Sequence, residues 1–169
     1  MSAEIVEVVT SGEVEGFDYV DLNEVDPTIK PVPTDVYTLK VLKAELKKSA
    51  YKQTTQYHNA GDPMSFLKFS LAITNHLEYA GRRLWPTVFY GRSELRGMRL
   101  LMDATGVTQN PGSPIEEWLK TLSEAQPEFK TKVNCVPDVD KKGNVRSIDA
   151  KTGKPQDVNV VVWTEVAPV

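Results

Sequence analysis

Aromatic and basic residues alternate with apolar ones between Phe66 and Phe89, and their types suit a ligand made of flat rings and phosphates. Aromatic side chains stack on heterocyclic rings, whereas Lys and Arg pair with phosphate groups. This mixture is typical of surfaces that hold single-stranded nucleic acid, at about 1–3 kcal/mol per stacked base and for any base. The candidate binding residues are Lys47, Lys48, Tyr51, Lys52, Tyr57, Phe66, Lys68, Arg82, Arg83, Trp85, Phe89, Lys130 and Lys132.

Motifs for catalysis or metal binding are incomplete in this sequence. Residues 138–149 match a calcium-binding EF-hand loop at four positions, but Lys142 stands where an oxygen ligand is required. We therefore expect a hairpin turn at residues 138–149. His58 and His76 lie in polar segments without a glycine-framed serine, and Cys135 is the single cysteine. We expect no enzyme activity, no metal site and no cofactor.

Length and composition favour one globular core. The chain has 169 residues, of which 40% are hydrophobic and 25% charged, enough for one domain and few for two. No apolar run approaches the roughly 18 residues that a membrane helix needs. The N-terminus also lacks the basic region of a secretory signal. We expect a soluble cytoplasmic protein with no membrane contact.

The formal net charge of −3 conceals a strong partition along the chain. Residues 1–29 contain eight acidic residues and no Lys or Arg, whereas the rest has 15 acidic residues and all 20 Lys and Arg. Residues 30–99 alone have twelve basic and five acidic residues. One interpretation is that these cations merely solvate exposed faces. The other is a polyanion-binding surface with an acidic arm that competes for it.

The apolar pattern predicts three strands in the first half of the domain. Alternation begins near Val36 and slips by one residue after Leu42, which indicates a β-bulge in a long first strand. Residues 48–64 lack periodicity and predict a long loop that carries Lys and Tyr residues. A second strand is predicted at residues 65–74, with Leu67, Phe69, Leu71 and Ile73 inward. A third is predicted at residues 82–89, with Leu84 and Val88 on one side.

Two helices and two further strands follow. Ser93 is the predicted cap of a helix that ends before Gly106. Ser113 is the predicted cap of a second helix with Pro114 at its first position and Trp118 on its buried stripe. A fourth strand alternates from Phe129 to Cys135, and a last strand is predicted at residues 158–166.

The predicted order is three strands, a helical insert and two strands, with a bent first strand. This is the plan of the OB-fold, and we predict a mainly β protein: a five-stranded Greek-key barrel with a helical insert between the third and fourth strands. Residues 1–31 form an acidic arm and linker, and residues 32–169 the barrel domain. An open β-sandwich with added helices is the alternative architecture.

Four short motifs resemble a known family. They are Pro33-Thr34-Asp35-Val36-Tyr37, Leu67-Lys68-Phe69-Ser70-Leu71, Tyr79-Ala80-Gly81-Arg82 and residues 101–107 (Leu-Met-Asp-Ala-Thr-Gly-Val). Residues 32–107 thereby resemble small bacteriophage proteins of replication and recombination modules, which are regarded as single-stranded DNA-binding proteins. The resemblance implies a phage protein in the cytoplasm of the bacterial host. It also implies partners among single-stranded DNA, phage or host replication and recombination proteins, and further copies of the chain.

The leading hypothesis is therefore a protein that coats single-stranded DNA without strong sequence preference in phage DNA replication or recombination. The acidic residues 1–29 are then expected to occupy the basic surface when DNA is absent. Two alternatives stay open. One is a protein-interaction or virion structural module built on the same barrel, and the other is an inhibitor of a host enzyme whose acidic arm imitates DNA.

Overall fold

A computed structural model of the chain describes Asp21, Asn23 and residues 30–169. Contacts divide the chain into two units, Met1–Lys30 and Pro31–Val169. The predicted acidic arm lies almost entirely outside the described residues. All strands and helices described below belong to the second unit. In the described part of the chain, no helix has both the length and the apolar character needed to cross a membrane.

Six strands form one antiparallel sheet. They are β1 (Asp35–Ala50), β2 (Pro63–Thr74), β3 (Arg83–Leu84), β4 (Thr87–Phe89), β5 (Glu128–Pro137) and β6 (Asp157–Val161). The order is β3-β2-β1-β5-β6, and β4 also pairs with β2. With β3 and β4 taken as halves of one strand, the sheet curls into a nearly closed five-stranded barrel. The predicted OB-type Greek-key fold is confirmed.

The predicted bulge lies in β1. Tyr37, Leu39 and Val41 are buried before it, and Ala44 is buried after it. The register against β2 shifts between Val41 and Lys43, so one extra residue is accommodated there. A bulge bends its strand and increases the twist. It lets β1 pair with β5 through residues 35–40 while β2 follows it from Thr38 to Ala50.

The third predicted strand is divided in the structure. Trp85 and Pro86 separate β3 from β4, because proline has no N–H to donate to a ladder. The Pro86 carbonyl still accepts a 3.0 Å hydrogen bond from the Phe69 N–H, which keeps the break close to β2. Leu84 and Val88 are buried on either side of the break, as their alternation predicted.

Two helices join β4 to β5: α1 (Arg92–Thr105) and α2 (Ile115–Ala125). Both predicted caps are wrong. Gly91 is the N-cap of α1 and Pro114 that of α2, and neither N-cap makes a side-chain hydrogen bond. The predicted end of α1 is right, since Gly106 has a φ of 73°, in the left-handed region that glycine favours.

The core lies between the inner sheet face and the two helices. Phe69, Phe129 and Leu39 are completely buried, and Trp118 of α2 is buried as predicted. Its indole N–H donates a 2.8 Å hydrogen bond to the Val107 carbonyl. Such a partner is needed because an unpaired buried N–H is costly.

The last strand ends earlier than its valines predicted. β6 stops at Val161, and a 3-10 turn follows over Trp163–Glu165. Trp163 is buried against Phe69 and Phe129, with ring centroids 5.0 and 6.1 Å away. Consecutive valines carry no period-2 signal, which explains why the boundary was misplaced.

Candidate nucleic-acid interface

The outward side of β2 places aromatic and cationic side chains in rows across the sheet. Phe66 lies opposite Lys47 of β1 and Phe89 of β4, and Lys68 lies opposite Thr87. Directly opposed residues of antiparallel strands point to the same side and touch. We call this surface the aromatic–basic face and define it by Lys47, Phe66, Lys68, Arg83, Trp85 and Phe89.

The rings of the aromatic–basic face are open to solvent. Trp85 is 59% exposed and Phe89 50% exposed, while Phe66 is half-buried. The Phe66 and Phe89 ring centroids are 5.7 Å apart, with the ring planes at 39°. Exposed rings in one patch are available to stack on a ligand, because the core does not use their outer surfaces.

Glu45 introduces a negative charge among these cations. Its carboxylate lies 3.2 Å from the Lys43 ammonium and 3.3 Å from the Lys47 ammonium. The hydrogen bond from Lys43 is the main reason that the pKa of Glu45 is below its ordinary value, and Lys47 adds to this, while partial burial opposes it. Glu45 is therefore ionised at neutral pH, and its two oxygens each lie near one of the two ammonium groups.

A cleft of about 250 Å³ opens beside Trp85. β1 and the β3–β4 break flank β2 on opposite sides, so the cleft crosses the sheet. Trp85 supplies an aromatic ring, Ser70 a hydroxyl group, and the lysine and glutamate side chains supply charges. The lining residues of the cleft are Lys43, Glu45, Lys68, Phe69, Ser70 and Trp85.

The β1–β2 connection is shorter than predicted. Lys47 and Lys48 lie in β1, and the loop covers residues 51–62. Tyr51 is stacked on His58 with ring centroids 3.4 Å apart, so one face of its ring is already occupied. Tyr57, by contrast, is 85% exposed, and Lys52 is exposed too. Within this loop, Tyr57 therefore offers the freer ring.

Four of the predicted strand and turn residues lie away from the aromatic–basic face. Lys48 follows Lys47 in β1 and is opposite Ser65, so it points to the other side of the sheet. Lys130 and Lys132 of β5 are opposite Thr38 and Val36 at the far end of β1. Thr38 is level with Thr74, six residues along β2 from Lys68, which corresponds to about 20 Å of strand. Arg82 precedes β3 and belongs to the turn, where its N–H donates to the Tyr79 carbonyl. The alternation of residues in a strand predicts which side of the sheet a residue is on. It does not predict how far along the sheet the residue lies from residues of other strands.

The structure adds residues that the sequence prediction missed. Tyr90 follows Phe89 and is 88% exposed, because β4 ends at Phe89 and alternation no longer applies. Lys40 shares a row with Ala72 and Arg83. The sequence signal that could have identified Tyr90 is its place beside Phe89, directly before Gly91.

The segments with catalytic or metal-like motifs have structural roles. Asp140 Oδ1 accepts hydrogen bonds from the N–H groups of Lys142 and Asn144, both at 2.8 Å, which shapes the predicted hairpin turn. These bonds hold the pKa of Asp140 below its usual range, those from Asn144 most strongly. His76 Nδ1 accepts from the N–H groups of Glu78 and Tyr79, both at 3.1 Å. Among the described residues, no group of three or more His, Cys, Asp or Glu side chains is placed to hold a metal ion.

Comparisons with protein-family models, with curated proteins and with solved structures give no match to this chain.

Proposed function

We propose that residues 32–169 bind single-stranded DNA and coat it without strong sequence preference in phage DNA replication or recombination. The observation that carries the proposal is the aromatic–basic face, on which Trp85 and Phe89 are half exposed beside Lys68. The phage context depends on the resemblance of residues 32–107 alone. The proposed activity is binding, with no covalent step.

The rings supply the part of the binding energy that favours a single strand. Bases that are not paired can leave their neighbours and stack on Trp85 or Phe89, at about 1–3 kcal/mol per base. Bases inside a duplex are already stacked and have no exposed faces. The aromatic–basic face is therefore expected to prefer single strands over duplex DNA.

The lysine and arginine side chains supply the part of the binding energy that depends on salt concentration. Each phosphate that a Lys or Arg neutralises on a single strand contributes about −0.7 to the slope of log K against log salt concentration. About five contacts, from residues such as Lys68 and Arg83, give a slope of roughly −3 to −4.

Fluorescence anisotropy with labelled oligo-dT and duplex DNA of equal length tests the proposal. The full chain should bind oligo-dT more tightly than duplex, with the salt slope given above. Trp85→Ala and Phe89→Ala should each weaken oligo-dT binding about five- to 150-fold, following the stacking energy of one base.

Leu77→Ala is the matched control, because Leu77 is fully exposed in the turn between β2 and β3. It should leave the affinity unchanged. Equal binding of oligo-dT and duplex, or a salt slope near zero, would contradict the proposal.

The second candidate is a protein-interaction or virion structural module. The hairpin between β5 and β6 favours it, because Val139, Val145 and Ile148 are all exposed there at 41–62%. Apolar groups projecting together often mark protein contacts. If this candidate is right, the unmodified chain self-associates in light scattering and Ile148→Asp abolishes that association. Neither the unmodified chain nor the variant should then bind DNA.

A further inference from the structure

The cleft beside Trp85 has the features of a subsite for one base. We propose that it holds a nucleobase with an exocyclic amino group, hydrogen-bonded to Glu45, so that cytosine and adenine are preferred to thymine at this single position. The inference rests on the proposed binding of single-stranded DNA and adds a base preference to it.

The shape of the cleft sets the orientation of such a base. Its volume of about 250 Å³ equals that of roughly eight water molecules in the liquid, which suits one base and not a base pair. β2 lies between the β3–β4 break and β1, so a ring stacked on Trp85 would have Ser70 of β2 and then β1 at its side. Lys43 and Glu45 of β1 line the cleft at that edge.

The carboxylate of Glu45 has acceptor capacity left for a base. Each of its oxygens faces one lysine, Lys43 or Lys47, and an ionised carboxylate offers about four acceptor positions. The side chain is 30% exposed, so it can be reached from the cleft. It stays ionised at neutral pH because the two lysines favour its charged form.

The chemistry of the bases then decides which one fits. Cytosine N4 and adenine N6 carry hydrogens that a carboxylate accepts, whereas thymine presents the acceptor O4 at the corresponding position. The amino group of cytosine or adenine also adjoins an unprotonated ring nitrogen, to which the Lys43 ammonium can donate. Lys43 and Glu45 therefore provide a donor and an acceptor side by side. Thymine presents the same two functions in the reverse order, O4 as acceptor and the ring N3–H as donor, so Glu45 at the exocyclic position matches only cytosine and adenine.

A carboxylate at this position is otherwise unfavourable for a phosphate-binding surface, since it repels the ligand. The competing explanation is that Glu45 only spaces Lys43 and Lys47. The two explanations differ in a measurable way: spacing affects all sequences alike, whereas base contact changes the ratio of affinities between sequences.

Titration of the full chain with oligo-dC and oligo-dT of equal length, at mildly alkaline pH, measures that ratio. Quenching of tryptophan fluorescence reports on Trp85, because Trp118 and Trp163 are buried. The unmodified chain should bind oligo-dC about five- to tenfold more tightly than oligo-dT, at the lower end of what one good base contact contributes.

Glu45→Gln should reduce the ratio to within about twofold, because an amide both accepts and donates and so serves either base. Affinity for both oligonucleotides should rise, since a negative charge is lost. Glu124→Gln is the matched control: it removes the same charge from exposed α2 and should leave the ratio unchanged. Glu45→Asp keeps the charge but shortens the side chain, and should also reduce the ratio.

Equal binding of oligo-dC and oligo-dT by the unmodified chain would overturn the subsite and leave the proposed function intact. A preference that persists in both Glu45 variants would overturn it as well, because the contact would then lie elsewhere. Failure to bind either oligonucleotide would overturn the subsite together with the function on which it rests.

Discussion

The Ser123 hydroxyl oxygen lies 2.9 Å from the backbone nitrogen of Ala44 and 3.1 Å from its carbonyl oxygen. A side chain of α2 thus takes the place of a neighbouring strand directly after the bulge in β1. The Ala44 N–H would otherwise lack a partner among the described residues, because β5 pairs with β1 only as far as Lys40. The helical insert thereby fixes the bend that gives the barrel its shape.

Ser123→Ala should therefore destabilise the domain by about 1–2 kcal/mol, because it leaves the partly buried Ala44 N–H unpaired. Thr121→Ala is the control, since Thr121 is exposed and donates only to Glu117 on its own helix. It should change stability by less than about 0.5 kcal/mol. Urea denaturation measures both, and equal effects would refute the bridging role of Ser123.

Gly97→Ala should destabilise the domain by about 1–3 kcal/mol through overpacking. An added Cβ would lie 2.6 Å from the Trp163 Cβ and 3.0 Å from its carbonyl oxygen, and backbone cannot move aside cheaply. Helix propensity alone predicts the opposite sign, a gain of about 1 kcal/mol. Gly91→Ala meets only the flexible Glu94 side chain and should cost less, mainly the N-cap preference for glycine over alanine. A thermal melt that shows Gly97→Ala to be stabilising would disprove the close contact.

The tryptophans should separate binding from stability. Trp85→Phe should leave the thermal midpoint within a degree or two and remove most of the DNA-induced fluorescence quenching. Trp118→Phe should keep the quenching and cost about 1–3 kcal/mol of stability, because the Val107 carbonyl loses its indole donor. Quenching that survives in Trp85→Phe would place the ligand elsewhere.

Alkaline pH should destabilise the domain through Tyr37. Burial is the main cause that raises the pKa of Tyr37 above 10.0, and the nearby Asp35 charge adds to it. The unfolded chain loses this proton at lower pH than the folded chain, so stability falls as pH rises past about 10. Tyr37→Phe should make that fall shallower, at a cost near neutral pH of roughly 0.5–1.5 kcal/mol for the lost bond to Pro33. The exposed Tyr90→Phe should leave the slope unchanged.

Deleting residues 1–29 should tighten DNA binding several-fold at low salt, since it changes the formal net charge from −3 to +5. The gain should shrink as salt screens the charges. A full-length variant with the eight acidic residues replaced by Asn or Gln should show the same gain. Unchanged or weaker affinity in both variants would rule out electrostatic competition by this segment.

Period-2 alternation predicted the barrel well, because inward residues such as Phe69 and Leu71 have no other place to be buried. The bulge in β1 was predictable for the same reason, because the buried residues change phase there. Helix starts were misplaced by one or two residues, since neither Gly91 nor Pro114 caps through a side chain. A helix N-terminus without a side-chain cap leaves only a weak signal in the sequence.

The outward position of the rings was predictable, whereas the cleft was not. The role of Glu45 depends on its register opposite Lys68, which in turn depends on the bulge. Likewise, the period placed Lys130 and Lys132 outward, but their distance from Trp85 follows from strand pairing across the chain. Such long-range registers are set by tertiary packing and not by local pattern.

The break at Pro86 leaves Phe89 at the end of the three-residue strand β4 and Trp85 in the break itself. Within residues 30–169, β3 and β4 join the sheet through β2 alone. Elements with few backbone pairings exchange their amide hydrogens fastest. The segment around Trp85 and Phe89 can therefore open locally while the long β1–β2 ladder stays paired. Under the proposed function, such opening would let the aromatic–basic face accept bases of unequal size.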